Sequence, residues 1–200
     1  MSKNSTATAK APGLRERKRR ETLQRITDAG MRLFIEKGYE ATTLDDIATA
    51  AGISRRTFFY YFDSKDEILL SMQSTMGDMI VAALRKQPDN IRPIEAVRNA
   101  VIEICAPFSS QEMMAIDRLM RANAVVQARK QASYIHHERT LFDALCEKWP
   151  GKDRETGLRI VAMLSIGAIR LSTEALNREE GKRSLAELLA DTFHALEREL

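Results

Sequence analysis

Apolar positions recur at helical spacing along nearly the whole chain, and the runs break at residues that end helices. Leu23, Ile26, Leu33 and Phe34 form one stripe, which Gly38 closes. Thr43 is placed to cap a short helix, with Asp46 three residues on and Ile47, Ala48 and Ala51 on one apolar face. Gly52 supplies the positive φ that leaves that helix, Ile53 turns inward, and Ser54 caps a second short helix. In it Phe58 and Phe62 share one face, four residues apart. A long helix follows from Ser64 to about Gln87, ended by Pro88-Asp89-Asn90. Pro93 opens another, to about Ala106, with Ile94, Val97, Val101, Ile104 and Cys105 inward. Further helices are predicted from a Ser-capped start at Ser109 to Asn123, from about Gln127 to Trp149, from Asp153 to about Glu180, and from Ser184 to Leu200. The pattern predicts an all-α chain.

Composition agrees: glycine and proline number only 9 and 5, which favours long helices over sheet. The net charge of +3 is mild, but its placement is informative. Residues 1–65 hold 13 Lys/Arg against 8 Asp/Glu, whereas residues 66–200 hold 18 against 20. One end is therefore suited to approach phosphates. Cys105 and Cys146 form neither a metal spacing nor a disulfide framework, which points to a reducing compartment. No apolar run is read as a membrane span, and no signal peptide is apparent, so the cytoplasm and no membrane partner are expected.

The stretch from Thr42 to Lys65 then acquires a chemical reading. Two short helices joined by a tight turn form a helix-turn-helix, whose second helix has Arg55 and Arg56 in its first turn. Its N-terminal residues can enter a major groove while the first helix braces on the backbone. The run RERKRRE, Arg15 to Glu21, is either a solvated helix start or a basic arm lying on phosphates or in a minor groove; its place before the helix-turn-helix favours the arm, with Arg17 and Arg19 as contacts. Residues Met1 to Gly13 are small, polar and aperiodic, as expected of a disordered arm.

The segment LFIEKGYEATTLDDIATAAGISRRTFFYYFDSKDEIL resembles the DNA-binding domain of the TetR family of bacterial transcriptional regulators. The resemblance rests on Phe34, Gly38, Tyr39, Thr42, Thr43, Ile47, Ala48, Ala51, Gly52, Ser54, Thr57, Phe62, Lys65 and Leu69–Leu70, and covers roughly residues 17–70. It implies a three-helix DNA-binding domain, a helical ligand-binding and dimerisation domain, an obligate homodimer on a near-palindromic double-stranded operator, and repression relieved by a small molecule. The domains expected are an arm at 1–14, a helix-turn-helix domain at 15–66 and a regulatory domain at 67–200. The implied phosphate contacts fall on Thr43, Tyr61 and Lys65, and the groove contacts on Arg55, Arg56, Thr57 and Tyr60. Phe59 stands where the family commonly has a phosphate-touching tyrosine, so its contact is apolar or absent. Asp45 either faces DNA, where it can accept from cytosine N4, or merely answers the helix dipole.

The remainder matches the family only in length and helical character. Candidate pocket residues are Met113, Arg118, Met120, Tyr134, His137, Met163 and Arg170. Methionine suits both an adaptable pocket and ordinary core. Arg118 and Arg121 either pair an acidic ligand or face water, and Arg170 has Glu174 or an acidic ligand as partner. His136 and His137 point about 100° apart and cannot chelate one ion together, so no metal and no cofactor are expected. Gly77 is a flex point or a packing site in the long helix. The two C-terminal helices carry apolar surface and small residues enough for a four-helix bundle across a twofold axis, with Val161, Ser165, Ile169, Leu188, Thr192, Phe193 and Leu196 at the interface. The segments DRLMRAN and AMLSIGAIRL are similar to those of family members that sense acyl-CoA-like ligands. Two other readings stand beside the ligand-released repressor. One is a DNA-binding regulator controlled by a partner protein or by abundance; the other is an enzyme with a DNA-binding head, for which neither thiol has a basic neighbour with an orienting partner.

Overall fold

The structure, a computed structural model, describes residues 13–122 and 124–199, apart from the side chains of residues 72–74, 125 and 131. The described residues form α1 (Leu14–Lys37), α2 (Leu44–Ala50), α3 (Arg55–Tyr61), α4 (Lys65–Lys86), α5 (Pro93–Cys105), α6 (Ser110–Ala122), α7 (Ala124–Lys148), α8 (Glu155–Arg178, entered through a 3-10 turn at Lys152–Arg154) and α9 (Leu185–Glu199). No strand occurs among them. The chain divides into two compact units, one ending at Ile68 and one beginning at Leu69. Of the expected arm at 1–14, residues 1–12 lie outside the described residues; Gly13 caps α1 and Leu14 is already helical.

Local signals set the first unit. The Thr43 hydroxyl accepts from the Asp46 amide at 3.1 Å, and the Asp46 carboxylate accepts from the Thr43 amide at 3.0 Å, a reciprocal cap. The Thr43 amide, then the Thr43 hydroxyl donating to Asp46 Oδ2 at 2.8 Å, then Lys37 hold the Asp46 carboxyl at a pKa of about 2. After α2, Gly52 at φ 65° lets the Ile53 amide reach Ala48 O at 2.9 Å and its own amide reach Thr49 O at 3.1 Å, so the chain reverses within a few residues. Ser54 caps α3 through the Thr57 amide at 3.1 Å. Two seven-residue helices cannot stand alone. They stand because Ile26, Phe34, Ile47, Phe58 and Ile68 close into one core, each at most 1 % exposed, and each such side chain contributes about 1.5–3 kcal/mol. Gly30 lets α1 approach the start of α4, since a Cβ there would lie 2.8 Å from Ile68 Cδ1.

In the second unit α8 packs against both α7 and α9, and α5 against α9. Leu84, Val97, Val101, Leu141, Leu145, Leu176, Leu189 and Phe193 are among its most buried large side chains. Pro93 opens α5, and Ser109 with Glu112 and Ser184 with Glu187 make reciprocal caps ahead of α6 and α9.

Helix α8 corrects two expectations. By length and composition the helical stretch Lys152–Arg178 is apolar enough to cross a membrane, because an 18-residue window within it holds no more than two charged residues. Its inner face buries Leu158, Ala162, Ser165, Ile166, Ala168, Ser172 and Leu176. Its outer face leaves Ile160, Met163 and Leu171 about half exposed. Of the expected interface residues, Ser165, Leu188 and Phe193 are therefore interior to the subunit, at 0 %, 2 % and 0 % exposure. Thr192 is engaged at home, with its hydroxyl bonded to Leu188 O at 2.8 Å and to Ser172 Oγ at 2.9 Å. Ile169 is half-buried on a cavity, and Val161 and Leu196 are half-buried.

Candidate functional site

The reading face of α3 follows from which side of the helix is anchored. Phe58 and Phe62 are buried, with ring centroids 5.9 Å apart. Arg55, Arg56, Phe59 and Tyr60 are consequently turned to solvent, Tyr60 at 70 % exposure. Thr57 is half-buried, and its Oγ1 lies 2.8 Å from Ser54 Oγ. Tyr61 is half-buried, with its ring edge-on to Tyr60 at 5.1 Å. Two residues that stood out in the sequence meet on Arg55. Asp45 of α2 holds its Nη1 at 3.2 Å, and the Phe59 ring lies 5.9 Å beneath its guanidinium carbon.

Two of the three expected phosphate contacts, Thr43 and Lys65, are already engaged within the unit. The Thr43 hydroxyl serves the α2 cap. Lys65 is turned onto the loop after α1, where its ammonium donates to Tyr39 O at 2.7 Å and sits 4.1 Å from the Tyr39 ring centroid. The basic stretch also differs from an extended arm: Arg17 and Arg19 lie in α1, exposed, with Glu21 at 3.3 Å and Glu16 at 4.0 Å respectively. No described residue of α1 before Ile26 is buried, so this end of the helix presents little but charge. A helix about 10 Å across does not enter a minor groove about 6 Å wide, so these two arginines suit phosphates and not groove floors.

The second unit holds a partly open cavity of about 180 Å³. Its walls are mostly apolar, from Met76 and Ile80 of α4 through Val101, Ile104, Phe108, Met113, Ile116 and Met120 to Ile166 and Ile169 of α8. Tyr134 and His137 of α7 also line it. Four of the expected pocket residues, Met113, Met120, Tyr134 and His137, are thus brought together. Three are not. Met163 is 51 % exposed on the outer face of α8. Arg170 is solvated, 4.0 Å from Glu174, which removes the cost of burying it unpaired. Arg118 is exposed on α6. Gly77 proves to be a packing site: a Cβ there would lie 2.6 Å from His137 Nδ1, so only glycine lets the imidazole rest against α4. Burial there, with His136 beside it, lowers the His137 pKa, against an opposing pull from Asp78.

The polar end of the cavity went unread in the sequence. Asp117 is 4 % exposed and accepts from Arg121 Nε at 2.5 Å, Lys130 Nζ at 2.6 Å and Asn177 Nδ2 at 2.8 Å. A signal for it was present, since Met113, Asp117 and Met120 share one helical stripe and a carboxylate there must be inward and paired. Burial pushes the Cys105 thiol to about 11, and Cys146 is raised as well, which leaves both poor nucleophiles. Among the described residues no three His, Cys, Asp or Glu side chains gather as metal ligands.

A capped helix-turn-helix with an arginine-bearing second helix, followed by a helical unit around an apolar cavity, defines a DNA-binding regulator. Residues 26–72 match the family "Bacterial regulatory proteins, tetR family", and residues 91–200 match the MftR C-terminal domain. The chain belongs to the tetR family of bacterial regulatory proteins. It is similar to the HTH-type transcriptional regulator TcmR of Streptomyces glaucescens, with 33 % identity over 57 % of this chain and 50 % of that protein. It is also similar to a protein of Mycobacterium tuberculosis named for mycofactocin biosynthesis regulation, MftR, with 28 % identity over 88 % and 90 %. The chain spans about half the length of the first and nine-tenths of the second. Thermus thermophilus FadR, a repressor solved with lauroyl-CoA, shares the fold at a TM-score of 0.55 and 25 % identity, over 87 % of this chain and 92 % of that one.

Proposed function

We propose that the protein is a homodimeric repressor that binds a near-palindromic operator in double-stranded DNA and leaves it when a small molecule enters the cavity of the second unit. The observation that carries this reading is the solvent-facing set Arg55, Arg56 and Tyr60 on a helix whose other side is anchored by Phe58 and Phe62. In this reading Arg55, Arg56, Thr57 and Tyr60 face the major groove, while Tyr61, Thr43, Arg17 and Arg19 lie toward phosphates. Lys65 reaches a phosphate only by sharing its ammonium with the Tyr39 carbonyl.

Two copies are needed to read two half-sites, about 34–36 Å apart or a multiple of that. The exposed Ile160, Met163 and Leu171 of α8 offer the surface for pairing, and Gly157 and Gly167 leave open space where another helix can approach. An effector is favoured over control by abundance alone because the cavity is apolar, with a few polar groups converging at one end. An acyl-CoA-like effector is in keeping with the lauroyl-CoA bound to the Thermus FadR. Helix α4 contributes Met76, Gly77 and Ile80 to the cavity wall and begins at Lys65, beside α3, so a displacement of its cavity end is a route to the reading heads. A few kcal/mol of differential affinity between two dimer shapes suffices. The cytoplasm, where bacterial DNA lies, is the site of action. Footprinting on DNA with a salt titration tests the proposal. A protected inverted repeat whose affinity falls steeply with salt is the expected result; no protected repeat, or affinity indifferent to salt, refutes it.

A further inference from the structure

We infer that the ligand of this cavity is a short apolar carboxylate whose head is held by Lys130. The inference rests on the small-molecule reading above and, for this cavity, sets a free acid in place of an acyl-CoA-like effector. Size comes first. A cavity of about 180 Å³ compares with roughly 150 Å³ for one that holds a single benzene, and drug-sized sites begin near about 300 Å³. Scaled from that comparison, the enclosed part of a ligand has about six to eight non-hydrogen atoms.

Charge comes second. Asp117 meets two cations, Lys130 and Arg121, and the amide of Asn177. Arg121 is about half exposed, so water answers much of its charge, and within the lining Asp117 and Lys130 balance. Arg121 and Asn177 stand outside the cavity lining, whereas Lys130 is part of it and keeps only 16 % of its side chain exposed. Among the described residues Asp117 is the sole carboxylate on the Lys130 ammonium, which carries three donors. With Arg121 and Asn177 keeping Asp117 satisfied, Lys130 can share itself with a second acid. A neutral apolar guest leaves the remaining donor capacity of the ammonium unused, and an amine sets a second cation beside it. An acid answers it while its chain takes the Ile104, Phe108 and Met113 walls.

The test is a thermal-shift titration of the full chain with hexanoate, benzoate, hexanol, hexylamine and hexanoyl-CoA. The acids are expected to stabilise saturably, with midpoints at least about tenfold below those of hexanol and hexylamine, the worth of one hydrogen bond to a charged group. Lys130→Gln should abolish the preference for hexanoate over hexanol, and Lys130→Arg should keep it; circular dichroism checks that both fold. Equal response to acid and alcohol, tighter binding of hexanoyl-CoA, or an unchanged preference in Lys130→Gln overturns the inference. Operator release, measured in parallel, separates this inference from the reading beneath it. Hexanoate that binds through Lys130 without releasing DNA refutes release and supports the site. Release by a neutral compound, with no response to either acid, refutes the site and supports release.

Discussion

Arg55→Ala asks whether α3 reads bases or only rests on phosphates. The guanidinium is exposed but not loose. Nη1 is held by Asp45 at 3.2 Å, and the Phe59 ring lies 5.9 Å from the guanidinium carbon. This leaves the Nε–Nη2 edge for an acceptor pair such as guanine O6 and N7, the commonest specific contact in a major groove. A bidentate contact of that kind is worth about 1–3 kcal/mol of discrimination, or roughly 5- to 150-fold per half-site. With two half-sites the losses multiply. The fold should survive, because an exposed ion pair contributes at most about 1 kcal/mol. Fluorescence anisotropy with operator and scrambled duplexes, each across a salt series, gives the answer. The expected result is a loss of at least about 25-fold on the operator, little loss on the scrambled duplex, and a nearly unchanged salt slope. Asp45→Ala should narrow the gap between the two duplexes from the other side, as the arginine is freed and a carboxylate leaves the DNA-facing surface. If Arg55→Ala weakens both duplexes equally and flattens the salt slope by about one unit per head, it is a phosphate contact and the base-reading assignment is wrong.

Further outcomes follow from the second unit. Gly77→Ala gains up to about 1 kcal/mol of helix propensity, but its Cβ lands 2.6 Å from His137 Nδ1 and the ring must turn. Thermal stability should change by no more than about 1 kcal/mol while ligand response weakens; an unaltered ligand titration contradicts this packing role. His137 titrates below its ordinary value, so the unfolded chain binds its proton more readily. Stability should therefore be full above about pH 6.5 and decline as pH falls below it. His137→Gln should flatten that limb of the melting-temperature profile, and an identical limb in the variant refutes the assignment. Ile160→Glu should convert a sedimenting dimer to monomer and weaken operator binding, since it places a charge on the exposed face of α8; an intact dimer moves the interface elsewhere.

What the sequence disclosed was whatever short-range chemistry decides. Thr43 with Asp46, Gly52, Ser54, Pro93 and the Ser–Glu caps at 109–112 and 184–187 act within four residues, so helix ends were readable without tertiary knowledge. Lys65 shows the limit. The resemblance sends its side chain to a phosphate, but carbonyls 26 and 23 residues away in sequence claim it. Helix α8 shows another. It is apolar on both sides, so periodicity could not separate the inner Ser165 from the outer Met163, and one was assigned to an interface and the other to a pocket. The methionine stripe of α6 did point to the cavity, but periodicity alone gives the Asp117 that lies between Met113 and Met120 no partner. Its three donors come from α6, α7 and α8, and only the folded unit assembles them.

The central claim is that two copies of this chain read two related half-sites. Selection of binding sites from a random duplex library tests it most directly. The account predicts an enriched inverted repeat with half-site centres about 10–10.5 bp apart or a multiple of that, lost when Arg55 and Arg56 are both replaced by alanine. Enrichment of a single unrepeated site, or no enrichment over the starting library, would contradict it.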